Sequence, residues 1–170
     1  MSPPLDTGRR WTALGAAFLG ATCLGVAAHH APALALINES PSVPRGLYVR
    51  KFGPDPVRGA MVALPQPAGA RPYLATLGMP PDVRLLKRAV AVEGDRVCRT
   101  GDRIEVAGGS VPVRLRDRRG ASLPQWRGCR RLGPGELFLL GDTPGSFDSR
   151  YFGPVRVSDL DGVFREILTW

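Results

Sequence analysis

Lysine is almost missing from this 170-residue chain: of its 23 lysines and arginines, only Lys51 and Lys87 are lysine. Histidine is as scarce. The two present, His29 and His30, are adjacent and sit beside an apolar run, so a Ser-His-Asp triad is hard to build here. The three cysteines, Cys23, Cys98 and Cys129, follow no metal-site spacing. No residue pattern calls for a cofactor. Acids are outnumbered, 15 against 23, which leaves a net charge of +8 and a pI near 10.4. That balance permits contact with anionic lipid or nucleic acid but fixes no fold. The excess is concentrated between Arg114 and Arg131, where only Asp117 opposes seven arginines. This stretch carries no nucleic-acid-reading module and is expected to be a solvated loop, with no nucleic-acid partner. No repeat of 20–50 residues is present.

What is there points to a β protein. Hydrophobic residues make up 44%, enough for a packed core, and 21 glycines and 17 prolines break the chain into short pieces. Strands are expected over 46–52, 60–64, 83–92, 96–99, 136–140 and 160–168. Segments 103–106 and 111–115 should form a hairpin around Ala107-Gly108-Gly109-Ser110. The predicted fold class is mostly β, with little helix beyond the N-terminus.

Residues 11–28 carry no charge, and apolar character resumes after His29-His30 as far as Ile37. Roughly 20 apolar residues are needed to cross a bilayer. Arg9 and Arg10 precede the run and no Lys or Arg follows until Arg45, so the N-terminus should lie in the cytoplasm. The expected organisation is a cytoplasmic 1–10, a transmembrane anchor over 11–37 and an exported domain over 38–170. A cleaved signal peptide, with an Ala-x-Ala site among Ala31, Ala33 and Ala35, is the competing reading. Either places Cys98 and Cys129 where a disulfide can form.

Lys87 lies in the segment Val83-Arg84-Leu85-Leu86-Lys87-Arg88-Ala89-Val90-Ala91. On a strand it shares a face with Val83, Leu85, Ala89 and Ala91, while Arg84 and Arg88 point the other way. An amine on an apolar face has a lowered pKa and can serve as a base, which arginine cannot. The bland reading is a strand lysine that snorkels to solvent. Asn38-Glu39-Ser40-Pro41-Ser42-Val43-Pro44 holds two serines between stiffening prolines; it reads either as a nucleophile loop or as an extended linker. Gly141-Asp142-Thr143-Pro144-Gly145-Ser146-Phe147-Asp148-Ser149-Arg150 packs acids, hydroxyls and an arginine between glycines, denser than a plain turn requires.

Together these segments resemble the signal peptidase I family of membrane-bound serine endopeptidases, and most closely its conjugative-transfer, TraF-type branch. The resemblance rests on Ser40-Pro41-Ser42, on Leu86-Lys87-Arg88 through Gly94-Asp95, and on Gly141-Asp142 through Ser146-Phe147-Asp148-Ser149-Arg150. It implies a signal-peptidase-like antiparallel β-barrel or sandwich behind one transmembrane helix. It also implies roles: Ser42 as nucleophile, Lys87 as general base, Ser40 and the Ser42 backbone N–H as the oxyanion hole. Ser146 would orient the lysine, and Asp148 and Arg150 would form a supporting ion pair. Ser42-Val43-Pro44-Arg45-Gly46-Leu47-Tyr48 follows the branch pattern rather than the ordinary Ser-Met form.

The expected function is a single-pass inner-membrane serine endopeptidase with its catalytic domain on the periplasmic side. Its partners are the lipid bilayer and an exported precursor, expected to be a conjugative pilin subunit. A general type I signal peptidase is the near alternative. A self-cleaving repressor-type Ser-Lys protease shares the chemistry but lacks a membrane run. A non-catalytic envelope scaffold, binding through the arginine-rich stretch, is the reading from another class.

Overall fold

The computed structural model describes residues 33–53 and 55–170. The expected cytoplasmic segment 1–10, most of the expected anchor (11–32), Cys23, His29 and His30 lie outside the described residues. The tail of the expected anchor differs from expectation: Ala35–Asn38 is strand β1, paired with β2 (Gly46–Lys51). Among the described residues, no helix is long and apolar enough to cross a membrane.

Two antiparallel sheets make up the domain. The larger has seven strands in the order β1-β2-β11-β3-β4-β9-β10. Here β3 is Met61–Leu64, β4 Leu85–Ala91, β9 Glu136–Leu140, β10 Val155–Arg156 and β11 Gly162–Thr169. The smaller has the order β7-β6-β5-β8, built from β5 (Arg96–Thr100), β6 (Arg103–Val106), β7 (Gly109–Pro112) and β8 (Cys129–Arg131). Neither order closes on itself, so the expected barrel is an open pair of sheets. The sandwich character survives in one shared core, where Val97, Ile104 and Val106 of the small sheet meet Phe138 and Leu140 of the large one.

The large sheet buries both faces. Val62, Leu64, Leu85, Ala89 and Leu139 form one core, whereas Met61, Ala63, Leu86 and Phe164 belong to another. Strand alternation assigns Lys87 to the first of these faces, opposite Val62 across the β3–β4 ladder. Two expected face-mates are absent. Val83 precedes the strand and is exposed, and Ala91 joins the opposite face because a bulge at Val90 shifts the register against β9.

A helix that the Pro/Gly-rich composition hid, α1 (Arg71–Thr76), covers the Lys87 face with Leu74. Pro72 sits in its first turn, where a missing N–H costs nothing. The single-turn helix α2 (Ser149–Phe152) follows β9 and is capped by Asp148, whose carboxylate accepts from Arg150 N. The hairpin β6–β7 turns tighter than expected. Val106 pairs with Gly109, leaving Ala107 and Gly108 as a two-residue loop with φ of 51° and 76°. Cys98 and Cys129 face each other across β5 and β8 and are disulfide-bonded.

Candidate active site

A cleft of about 1170 Å³ opens on the domain, with Ser40, Ser42, Lys87 and Ser146 in its walls. Its apolar lining comes from residues such as Leu74, Met79, Leu85 and Phe147. The expected solvated arginine stretch contributes as well: Arg114, Arg118 and Arg119 are exposed and belong to the cleft lining, a placement that was not legible in the sequence.

Lys87 is held in the middle of β4 and only 4% of it is exposed. Burial pulls its ammonium down from 10.5 to about 8, and the Arg150 guanidinium pushes the same way. The carboxylates of Asp148 and Asp142 push back, but desolvation wins. The result is an amine that is substantially neutral near pH 8.

The serines sit on the turn between β1 and β2. Ser40 Oγ and Ser42 Oγ are 2.9 Å apart, and Ser42 is buried. The turn is organised by Asn38, which the sequence did not single out. Its side chain is hydrogen-bonded to Ser40, Val43 and Pro44. Tyr48, fully buried, donates its hydroxyl to Pro44 O at 2.7 Å.

A chain of contacts links this turn to the lysine strand. Asp142 N donates to Ser42 O at 2.6 Å, while the Asp142 carboxylate receives a forked pair from Arg88 at 3.0 and 2.8 Å. Arg88 follows Lys87 directly. One acid thus ties the serine turn to the lysine strand. Gly141 completes the junction: a Cβ there would fall 2.7 Å from Ser42 O and collide with the Ser146 side chain. Only hydrogen fits at that position.

The third expected group is fully built. Asp148 and Arg150 are 0% and 2% exposed and form a two-pronged ion pair, with both contacts at 2.8 Å. Asp148 also accepts from Gly141 N at 2.9 Å. Arg150 spends its remaining donors on the carbonyls of Pro112, Thr143, Pro144 and Ser146. The guanidinium thereby clamps the loop that carries Ser146. Ser146 itself is buried, and its Oγ has no hydrogen-bond partner among the described residues. The expected Ser146–Lys87 hydrogen bond is therefore not made, although both side chains border the same cleft. Cys98 and Cys129 lie away from the cleft walls, in the small sheet.

The arrangement offers a hydroxyl pair and a desolvated amine in the walls of one groove, with a buried ion pair clamping the loop that carries Ser146. Residues 9–170 match the family described as signal peptidase, peptidase S26. A plasmid transfer protein TraF from Escherichia coli is 36% identical over 80% of this chain and 84% of its own. A second Escherichia coli plasmid transfer protein TraF is 32% identical over 93% and 96%. A solved signal peptidase I from Enterococcus faecalis is 24% identical and aligns at a TM-score of 0.40, over 66% of this chain and 98% of that one.

Proposed function

The chain belongs to the peptidase S26 signal peptidase family, and from that membership we propose that it is a membrane-anchored serine endopeptidase acting on an exported precursor. The observation that carries this reading is the buried Lys87 amine, with its pKa lowered to about 8, in the wall of the cleft that holds Ser42. A neutral amine can take a hydroxyl proton, whereas an exposed ammonium cannot. In the proposed cycle Ser42 Oγ attacks the scissile carbonyl and its proton passes to Lys87 Nζ. The oxyanion is met by the Ser40 hydroxyl and the Ser42 N–H. The Lys87 ammonium then protonates the leaving amine. In the second half Lys87 deprotonates a water that releases the acyl group from Ser42.

Several observations support the finer parts. The apolar run over residues 11–28 supports an anchor in the inner membrane, with the domain on the periplasmic side. The Cys98–Cys129 bond suits an oxidising compartment. Relatives named as plasmid transfer proteins favour a precursor from a conjugation apparatus over general signal-peptide processing, and a prepilin is the precursor proposed.

The test is co-expression of the full chain with a candidate prepilin. The wild type should shorten the precursor, and Ser42→Ala and Lys87→Ala should each slow processing by about 10⁴-fold or more. Full processing by either variant overturns the dyad.

A further inference from the structure

The turn that carries Ser42 is wound around a single amide. Asn38 ends β1, opposite Gly46, and its side chain is nearly buried at 9% exposure. The two hydrogens of its Nδ2 are shared among three carbonyls, Ser40 O at 2.9 Å, Val43 O at 3.0 Å and Pro44 O at 3.0 Å. Three acceptors around one end identify that end as the nitrogen. Oδ1 therefore faces Ser40, accepting from Ser40 N at 3.2 Å and Ser40 Oγ at 2.9 Å.

Proton counting gives the consequence. A serine hydroxyl has one hydrogen. Asn38 Oδ1 has none, so the contact from Ser40 Oγ consumes the Ser40 proton. The 2.9 Å contact between Ser40 Oγ and Ser42 Oγ then has only one direction: Ser42 donates and Ser40 accepts. In this arrangement the Ser42 proton points at Ser40 instead of Lys87, and Ser40 has no hydrogen to offer an oxyanion. Two rotations prepare the site for reaction. The Ser42 hydroxyl turns toward the amine, and the Ser40 hydroxyl swings off Asn38 toward the developing charge. The second rotation leaves no orphan, because Asn38 Oδ1 keeps the Ser40 N–H.

We infer that Asn38 is a positioning residue that fixes the nucleophile turn through its NH₂ and holds the Ser40 proton in reserve until an oxyanion forms. The inference rests on the proposed roles of Ser42 and Ser40 and deepens them. Asn38 touches no reacting atom; it acts through Ser40 and the turn carbonyls.

The experiment measures acylation of the full chain in detergent micelles by p-nitrophenyl acetate, read as a burst of p-nitrophenol and as an acetyl mass on Ser42. Asn38→Ala should lower the acylation rate constant by about 100-fold, the range for misplacing one oxyanion donor. The pH midpoint of acylation should stay at the wild-type value, because the surroundings of Lys87 are untouched. Asn38→Ala should slow the Ser40→Ala chain by clearly less than it slows the wild type, since part of its effect passes through the Ser40 hydroxyl. Should the alanine variant not fold, Asn38→Leu carries the same test: it keeps the size, loses the donors and the acceptor and adds no charge to the cleft, and the same loss is expected. An Asn38 variant within threefold of wild type, a moved pH midpoint, or costs that multiply with Ser40→Ala would overturn the inference. A wild-type chain with no burst and an unmodified Ser42 removes the proposed nucleophile and this inference with it. A wild-type burst that the Asn38 variants reproduce strikes the inference alone.

Discussion

The two sheets solve the same problem by different means. In the small sheet the buried side chains are apolar, Val97, Ile104 and Val106 among them, and a disulfide ties β5 to β8. Around the large sheet the protein also buries Lys87, Asp148, Arg150, Asn38 and Ser42; among the described residues none of the buried polar side chains belongs to the small sheet. Burying charge costs stability unless every group is met, and even then an apolar replacement often does as well. A fold would not choose that route for stability alone. The contrast separates a region that only packs from a region that carries buried charge, the pattern expected of a functional site.

The sharpest way to break this contrast is to open the ion pair. Arg150→Met strands the Asp148 carboxylate with backbone donors only and should lower stability by about 3–5 kcal/mol, measured by urea unfolding. A loss below about 1 kcal/mol would mean that the buried charges are not a coupled unit.

Lys87 gives the next effect, and its sign is distinctive. The amine falls from 10.5 unfolded to about 8 folded, so between those values the unfolded chain binds the proton and the folded chain does not. Stability contributed by this group therefore rises with pH across that window, and below pH 8 its full cost is present, about 3 kcal/mol at roughly 1.36 kcal/mol per unit. Lys87→Met should be more stable than wild type at pH 7, with an advantage that shrinks as pH climbs from 8 to 10.5. In the intact enzyme, acylation of Ser42 should rise about tenfold per unit up to pH 8 and then level off. A flat profile would detach the amine from the chemistry.

Removing the disulfide by Cys98→Ala with Cys129→Ala opens a loop of 31 residues and should cost about 2–4 kcal/mol in thermal unfolding. The pH midpoint of acylation should not move, since the bond lies away from the cleft. The smallest effect concerns the β6–β7 turn. Ala107 adopts φ 51° where Asn or Gly is preferred, so Ala107→Asn should gain about 1 kcal/mol without altering activity.

Much of this was legible in the chain because it is local. Alternation and turn residues located β2 to β6, β9 and β11, and the rarity of lysine isolated Lys87. The Ser40-Pro41-Ser42 segment and the Asp148–Arg150 box carried the family resemblance. What escaped depends on contacts distant in sequence or on backbone detail. Strand β1 reads as the tail of an apolar run, and only its pairing with β2 reveals it. The Val90 bulge, which turns Ala91 away from Lys87, depends on β9. Asp142 reads as a turn acid until Arg88, 54 residues earlier, is seen to grip it. Asn38 looks like a linker residue because its five contacts form only once the turn closes. Ser146 carried the resemblance but not the hydrogen bond expected of it.

Gly141 has a consequence for how such a chain can diverge. With room for nothing but hydrogen between the two serine-bearing loops, their separation is a property of the main chain. Residues lining the groove can therefore change without resetting the distance between the two loops, because that distance is fixed by the main chain at one hydrogen atom.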